Sequence, residues 1–448
     1  MPAERQMEPV AKRDWRAACH DYLNRRQLAI LLMGFSSGLP LLLTLSTLSY
    51  WLSKVGIDKT SIGLFALVGL PYAFKFLWAP LLDHTRLPLL AGIFGHRRSW
   101  ALVIQVLLMA AILAMGLSDP ASDPWPTALA ALFVAFFSAS QDIVIDAYRI
   151  EILSEEEQGA GAAVTQTGYR LALIAAGAGA IALSDFVDWS TIFACLAALI
   201  LVGVLGVLLA PEPELARTPR RELRAHWFRV SLVEPFTDFM SRRGWVLILL
   251  FALLYKFGDA IGGVMAYPLY VDLGFTGLEI AAVSKIFGVL ITVAGAITGG
   301  LLVSRYGYFP ALLAGGILQA VTNLLYAVLA LHGHDLTMLV VAIGADNFTG
   351  GMGSAAFVAY LSALCNKRFT GTQFALLTSL MAAGRTLLSS GGGWLADQMD
   401  WVSFFAATTA LAIPGLLLLW WLRRVNLGLP EAEAEAEAMA PSAEHAQP

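Results

Sequence analysis

Charged residues are scarce in this chain. They make up 14% of its 448 residues, whereas an ordinary soluble domain carries about 25%. Charged residues are missing mainly from long apolar stretches, and 58% of all residues are hydrophobic. This composition excludes a typical soluble enzyme, a nucleic-acid-binding protein and a disordered chain, and it predicts a helical protein that crosses a membrane many times.

Other marks of common functional classes are missing as well. The three cysteines, Cys19, Cys195 and Cys365, lie far apart and form no CxxC pair, so neither a disulfide framework nor a metal knuckle is predicted. The histidines have no ligand cluster at zinc spacing, and no GxxxxGK[ST] motif for an ATP-driven engine occurs. The net charge of -4 indicates no polyanionic partner. We expect no metal, no cofactor and no nucleic acid.

Twelve apolar segments are long enough to cross a bilayer as helices, which takes about 20 residues each. The strands of a transmembrane β-barrel need only about ten residues, so helices are favoured. The predicted spans are 27–51, 60–82, 99–117, 126–149, 160–183, 189–209, 244–271, 277–303, 309–331, 336–364, 372–396 and 402–422.

The basic residues are distributed asymmetrically over the connections. Of the 29 Lys and Arg residues, 22 lie on one side of the predicted membrane, whereas only Lys54 and Lys59 lie on the other side. Because connections rich in Lys and Arg stay in the cytoplasm, we predict that both termini and the central linker are cytoplasmic. The remaining five basic residues lie within predicted spans.

The longest connection follows the sixth span and divides the chain into two halves. Gln158 precedes Arg170 by twelve residues, and the same interval separates Gln373 from Arg385. Six spans in each half, a cytoplasmic linker and such a repeat resemble the major facilitator superfamily. We therefore predict an all-α polytopic membrane protein with that superfamily's fold of 12 transmembrane helices in two six-helix halves. Its predicted parts are a cytoplasmic arm (1–26), a six-helix bundle (27–210), a cytoplasmic linker (211–243), a second six-helix bundle (244–424) and a disordered acidic cytoplasmic tail (425–448).

Two loops resemble the superfamily's G-x-x-x-D-R-x-G-R-R signature in degenerate form. The loop after the second span keeps Asp83, Arg97 and Arg98. The loop after the eighth span keeps Arg305, but Ser304 replaces the aspartate. We predict that Asp83, Arg97, Arg98 and Arg305 act in gating.

Ionisable side chains occur within the spans, where each costs roughly 2.5–3.5 kcal/mol to insert. One interpretation is structural, with pairs such as Lys256 and Asp259 holding helices together. The other interpretation, which the number of charges favours, is a polar cavity between the halves that binds a solute with charges of both signs. These residues are Lys75, Asp142, Asp146, Arg170, Lys256, Asp259, Lys285, Asp346 and Arg385.

Several segments indicate a particular family and not only a fold. SASQDIVIDAYRIEIL (138–153), GAGAAVTQTGYRLAL (159–173) and LLYKFGDAI (253–261) resemble the AmpG muropeptide permease family of Gram-negative bacteria. The resemblance covers the chain from about Arg25 to Arg424. It implies a non-enzymatic, monomeric importer in the cell inner membrane that works by alternating access. Its solute would be N-acetylglucosaminyl-1,6-anhydro-N-acetylmuramic acid, with or without peptide, moved from periplasm to cytoplasm by the proton gradient in peptidoglycan recycling and β-lactamase induction.

The span charges and the resemblance together predict the site residues. Predicted substrate-binding residues are Gln141, Gln166, Tyr169, Arg170, Tyr255, Lys256, Lys285, Asn347, Gln373 and Arg385. The predicted proton-coupling carboxylates are Asp142, Asp146, Asp259 and Asp346, of which Asp346 stands where the family is expected to have glutamate.

Three alternative functions compete with this importer: another transporter, an enzyme, and a sensor or scaffold. A related proton-coupled facilitator would carry another organic solute, such as a peptide, a nucleotide-like anion or a drug. An integral-membrane transferase is disfavoured because the loops are short and the acids lie within spans. A sensor or scaffold would not need mid-span charges in both halves.

Overall fold

The computed structural model describes residues 21–22, 24–44, 46–57, 65–184, 186–213, 233–389 and 392–425. The predicted arm, the linker and the acidic tail therefore lie largely outside the described residues. The described residues form helices and contain no strand, which confirms the all-α class.

The first half contains eleven α-helices in the described residues. Their bounds are Arg25–Thr44 (α1), Ser46–Lys54 (α2), Leu70–Phe74 (α3), Ala79–His84 (α4), Leu90–Ile93 (α5), His96–Gly116 (α6), Pro124–Ile152 (α7), Gln158–Leu173 (α8), Ala180–Leu183 (α9), Trp189–Leu199 (α10) and Leu201–Leu209 (α11).

The second half contains ten α-helices in its described part. They are Glu234–Ser241 (α12), Trp245–Leu254 (α13), Phe257–Asp272 (α14), Gly277–Ile280 (α15), Gly288–Tyr306 (α16), Tyr308–His332 (α17), Leu336–Ala363 (α18), Thr370–Ser389 (α19), Gly392–Asp397 (α20) and Trp401–Arg424 (α21). Two π-helical turns interrupt the pattern, at Ile174–Gly179 and at Ala281–Phe287.

Eight stretches of the described helices are long and apolar enough to cross a membrane. They are Arg25–Leu52, His96–Gly116, Pro124–Ile152, Trp189–Leu209, Trp245–Asp272, Ala282–Tyr306, Tyr308–His332 and Trp401–Arg424. The count of twelve spans is therefore not confirmed and stays a prediction. Four predicted spans have no counterpart among these eight stretches. The span 60–82 is divided into short helices, and the spans 160–183, 336–364 and 372–396 overlap with α8, α18 and α19. All three helices contribute to the lining of the central cavity described below, and α8, with 16 residues, is too short to count as a spanning helix by itself.

Aspartates begin four of the long helices that start on the predicted outer side. Each side chain accepts a hydrogen bond from a backbone N–H of the first turn, and a negative charge is favourable at a helix N-terminus. The capping residues are Asp123 (α7), Asp188 (α10), Asp335 (α18) and Asp400 (α21). The Ser190 hydroxyl and the Thr191 backbone N–H lower the pKa of Asp188 to about 2, so the cap is ionised at neutral pH.

Small residues bring helices into backbone contact, both within and between the halves. Helix α8 packs on α1 in its own half and on α16 and α18 of the other half, and α19 packs on α7. A Cβ atom on Gly159 would lie 2.6 Å from the Gly300 carbonyl oxygen across the two halves. Such close approach is typical of membrane helices, whose association relies on packing rather than on the hydrophobic effect.

We predict that Gly34→Ala destabilises the protein. A Cβ on Gly34 of α1 would lie 2.7 Å from the Thr165 carbonyl oxygen of α8, so one backbone must move, which costs about 1–3 kcal/mol. The matched control is Gly92→Ala, because a Cβ there meets nothing within 4 Å. Thermal unfolding in detergent should show a lower midpoint for Gly34→Ala than for Gly92→Ala, and equal midpoints would contradict the packing argument.

Candidate functional site

A cavity of about 510 Å³ lies between the two halves. Its volume is in the range of about 300–1,000 Å³ that is typical of small-molecule sites. Helix α8 contributes from the first half, and several helices of the second half form the rest of the wall. The polar lining residues are Gln166, Arg170, Lys256, Asp259, Thr292, Gln319, Asp346, Asn347 and Ser354.

Lys256 is the best-defined cation of the cavity. Its Nζ lies 3.8 Å from the Asp259 carboxylate, and it donates hydrogen bonds to Gln319 Oε1 (2.9 Å) and to the Gly350 carbonyl (3.4 Å). The side chains of Lys256 and Asp259 are 18% and 35% exposed. Because the pair is partly open, a solute that carries charges of both signs can exchange partners with it.

A helix break explains why Lys256 reaches the cavity. Helix α13 ends at Leu254 and α14 begins at Phe257, so Lys256 lies between two half-helices. The first turn of α14, with Phe257 and Ala260, lines the cavity. The N-terminus of such a half-helix carries a partial positive charge and favours a nearby anion.

Asp346 connects the cavity to a pair of buried tyrosines. Its Oδ2 accepts a hydrogen bond of 3.0 Å from the Tyr326 hydroxyl, to which the Tyr270 hydroxyl donates at 3.4 Å. The neighbouring Asn347 is held differently, since its amide donates to the Ile343 carbonyl and accepts from Thr292. Asn347 therefore stabilises its own half as well as lining the cavity.

Three polar lining residues are absent from the sequence-based prediction: Thr292, Gln319 and Ser354. Gln319 binds Lys256 through Oε1, and its Nε2 has no hydrogen-bond partner among the described residues. Its amide is therefore a free donor in the wall of the cavity. The signal in the sequence is a glutamine within the apolar span 309–331.

The predicted polar residues of α7 lie against α1 and are not among the lining residues. Ser36 donates to Gln141 at 3.0 Å and Ser37 donates to Asp142 at 2.5 Å. One turn further on, Asp146 lies 3.5 Å from the fully buried Arg149. The two serine contacts join α1 and α7 of one half, as in the structural interpretation of intramembrane charges, whereas the pair of Asp146 and Arg149 lies within α7.

Other predicted residues are distributed over several places. The Tyr255 hydroxyl donates to the Leu312 carbonyl within the second half, and Tyr169 lies on α8, where its backbone is close to Gly38 of α1. Gln373 binds Asp238 and the backbone of Asn366 at the start of α19. The structure does not bring Tyr255 or Gln373 into the cavity. The side chains of Lys285 and Arg385 lie outside the described residues.

A buried charge cluster lies at the predicted cytoplasmic ends of the helices. Arg97 Nη1 lies 2.8 Å from Asp83 and Nη2 lies 2.5 Å from Glu151, and the three side chains are at most 3% exposed. Asp83 Oδ2 also accepts hydrogen bonds from Thr372 of α19, at 2.7 Å from N and 2.6 Å from Oγ1. The cluster therefore ties the first half to the second half.

The other two predicted gating arginines have local partners. Arg98 donates to the Val207 and Leu208 carbonyls at the end of α11, whereas the Arg305 guanidinium lies over the ring of Tyr306. Glu212 accepts from the backbone N–H groups that begin α6. Burial raises the pKa of Glu212, and those N–H donors act in the opposite direction.

The described residues contain no group of three or more His, Cys, Asp or Glu that could hold a metal ion. The cavity is thus built from amides, one ion pair and further carboxylate and guanidinium groups. This set of groups can bind a polar solute and exchange protons with it.

Comparison with known sequences gives a consistent picture. The chain matches a family model described as Major Facilitator Superfamily over residues 28–331 and 254–446. It is 42% identical over 397 residues to a protein named anhydromuropeptide permease from Escherichia coli, covering 88% of this chain and 79% of that protein. It is 34% identical over 405 residues to a protein named putative transporter AmpG 4 from Rickettsia conorii, covering 90% and 98%.

The fold is similar to that of a solved transporter. The crystal structure of the Escherichia coli fucose:proton symporter matches with a TM-score of 0.65 at 12% identity, over 90% of this chain and 98% of that one. At this low identity the similarity concerns the fold alone.

We predict that Arg97→Gln strongly destabilises the protein. The substitution would leave two buried carboxylates, Asp83 and Glu151, facing each other without a cation, and breaking a buried pair in this way costs about 3–5 kcal/mol. The control is Arg98→Gln, which removes two hydrogen bonds to carbonyl oxygens, worth about 1 kcal/mol each, and a contact with the Phe94 ring, but leaves no buried carboxylate without a cation. Thermal unfolding of both variants in detergent measures the difference, and equal losses would show that the cluster contributes no more than the neighbouring arginine.

Proposed function

The chain belongs to the major facilitator superfamily and to its AmpG family of transporters, and on this basis we propose that it imports anhydromuropeptides from the periplasm to the cytoplasm, driven by the proton gradient. It is a multi-pass protein of the inner membrane that transports a small molecule. The observation that carries the proposed substrate is the central cavity, whose lining combines cations, carboxylates and amides.

The chemistry of an anhydromuropeptide fits these lining residues. Its sugars present hydroxyl and acetamido groups, and its lactyl or peptide part presents carboxylates and an ammonium group. Arg170 and Lys256 are suited to the carboxylates, because charge-assisted hydrogen bonds are the strongest available. Asp259 is suited to the ammonium group, and Gln319 offers its free amide to a sugar hydroxyl.

Proton coupling needs a carboxylate that senses both the solute and the side of access. Asp346 lines the cavity and is held by Tyr326, so we propose it as the carrier. Asp259 lies in the same cavity, paired with Lys256. Asp142 and Asp146 are bound within the first half and are the weaker candidates.

Alternating access requires one side of the cavity to be closed. The hydrogen bonds from Thr372 to Asp83 join the halves at the end that we propose to be cytoplasmic, and Ser304 donates across the same interface to the Glu156 carbonyl. These contacts support a closed cytoplasmic side, with Asp83 and Arg97 as its gating residues. We further propose that both termini are cytoplasmic, that the transporter works as a monomer and that it supplies peptidoglycan recycling and β-lactamase induction.

Uptake into proteoliposomes tests the substrate. With a pH gradient, acidic outside, the wild-type protein should accumulate labelled anhydromuropeptide in a saturable way. Lys256→Gln should raise KM about 10- to 100-fold, because a hydrogen bond to a charged group is worth about 1.5–3 kcal/mol. The matched control is Lys54→Gln, an exposed lysine outside the cavity, which should leave KM unchanged. Accumulation of a different organic solute in place of the muropeptide would overturn the proposed substrate but not the cavity.

A second assay separates proton coupling from binding. Asp346→Asn removes the titratable group but keeps the shape of the side chain and a hydrogen-bond acceptor for Tyr326. We expect this variant to lose accumulation driven by the gradient and to keep exchange of internal for external solute. Asp123→Asn, which alters a helix cap on the outer side, should behave like the wild-type protein. Full accumulation by Asp346→Asn would refute its role, and the same assay on Asp142→Asn and Asp146→Asn would then identify the carrier.

A further inference from the structure

A second cavity, which we call the lateral groove, lies apart from the central cavity and shares no lining residue with it. Its volume is about 490 Å³, and α1 and α8 of the first half and α16 of the second half form its walls. The groove is lined by Tyr22, Asn24, Arg25, Gln27, Leu28, Leu31, Val164, Thr167 and Ile297. It therefore crosses the junction between the two halves.

The lateral groove opens on the outer surface of the helix bundle. Leu28 is 49% exposed and Ile297 is also exposed, and both belong to helices apolar enough to span the membrane. In a spanning helix, an exposed apolar side chain away from a polar cavity contacts lipid. The medium that meets this groove is thus the bilayer itself.

The two ends of the groove differ in chemistry. Arg25 begins α1, and Leu31 lies six residues further along, which is about 9 Å down the helix axis. Arg25 is exposed and has no ion pair among the described residues, whereas its neighbour Arg26 lies 3.8 Å from Glu157. A cation without an ion pair thus lies at one end of the lateral groove, and apolar side chains line the groove further along α1.

Gln27 adds a second, independent observation. It is a lining residue that is only 1% exposed, and neither Nε2 nor Oε1 has a hydrogen-bond partner in the part of the chain that the structure describes. A buried amide without partners costs about 1–3 kcal/mol. A ligand that brings polar atoms next to an apolar chain would remove this cost.

We propose that the lateral groove binds an anionic phospholipid of the cytoplasmic leaflet. The phosphate group pairs with Arg25, the glycerol ester region meets the Gln27 amide, and one acyl chain lies along Leu28, Leu31 and Ile297. Basic pockets between helices at the cytoplasmic face are suited to anionic headgroups. The predicted orientation places Arg25 at that face.

The bound lipid would favour one conformation of the protein. The Tyr22 hydroxyl donates to the Ile297 carbonyl across the groove at 2.9 Å, and the walls come from both halves. A ligand that needs both walls binds only while the halves are together at this end, and it shifts the population towards that state. The lipid therefore stabilises the form that is closed on the cytoplasmic side.

Thermal unfolding of the full-length, delipidated protein in a neutral detergent tests this site. Phosphatidylglycerol, phosphatidylethanolamine with the same acyl chains, and inorganic phosphate are added separately. We expect phosphatidylglycerol to raise the midpoint by several degrees, as a ligand of the folded state does, with a smaller effect of phosphatidylethanolamine and none of phosphate. Arg25→Gln should raise the half-saturating phosphatidylglycerol concentration about tenfold, the factor for losing one charge-assisted contact.

Two further variants define the location. Arg424→Gln removes an arginine at the same predicted face that lies over Trp420, outside the groove, and should respond like the wild-type protein. Val164→Phe fills the groove and should abolish the response while Arg25 is retained. An unchanged response of Arg25→Gln, equal shifts with both lipids, or an equal shift with phosphate would each overturn the proposal. So would a wild-type protein that phosphatidylglycerol does not stabilise, which would mean that the groove is closed to lipid or occupied by residues 1–20.

Discussion

An ionised side chain that is buried in a protein must find its partner there, because no water reaches it. The Arg97 guanidinium meets this requirement completely, with one carboxylate on each side and almost no exposure. Through Asp83 the same cluster reaches α19 of the other half. The Arg97 charge thus holds Asp83 in the position from which it joins the two halves at this end.

The degree of exposure separates two kinds of charge pair in this chain. The pairs that Arg97 makes with Asp83 and Glu151 are closed to solvent, so any change of partner would leave a buried ion unpaired. The pair of Lys256 and Asp259 is open to a cavity, so a solute can replace either partner without that penalty. Both kinds combine a basic side chain with a carboxylate, and the position relative to the cavity distinguishes a structural charge from one available to a ligand.

This distinction also limits what the sequence could predict. Hydropathy located the eight long apolar stretches, the sequence correctly suggested the pair of Lys256 and Asp259, and the segment resemblances identified the family. The sequence does not reveal which face of α7 points to the cavity, because that depends on how the helix packs on α1. The prediction that Gln141 and Asp142 belong to the site therefore differs from the structure, in which neither residue lines the cavity. Gln319 was missed for a related reason, since an uncharged amide costs too little in a span to be conspicuous.

Helices α8 and α19 take part both in the contacts between the two halves and in the wall of the cavity. Helix α19 holds Thr372 at the junction that we propose to be cytoplasmic and Met381 in the cavity wall, nine residues apart, which is about 14 Å along one helix. Helix α8 likewise contacts Gly300 through Gly159 at one end and presents Arg170 to the cavity further along. A packed helix moves as a unit, because its contacts allow few intermediate arrangements. In the alternating access that we propose, opening the Asp83 junction would therefore move Arg170 away from Lys256 across the cavity, so that the geometry that holds a solute would be lost as the solute leaves.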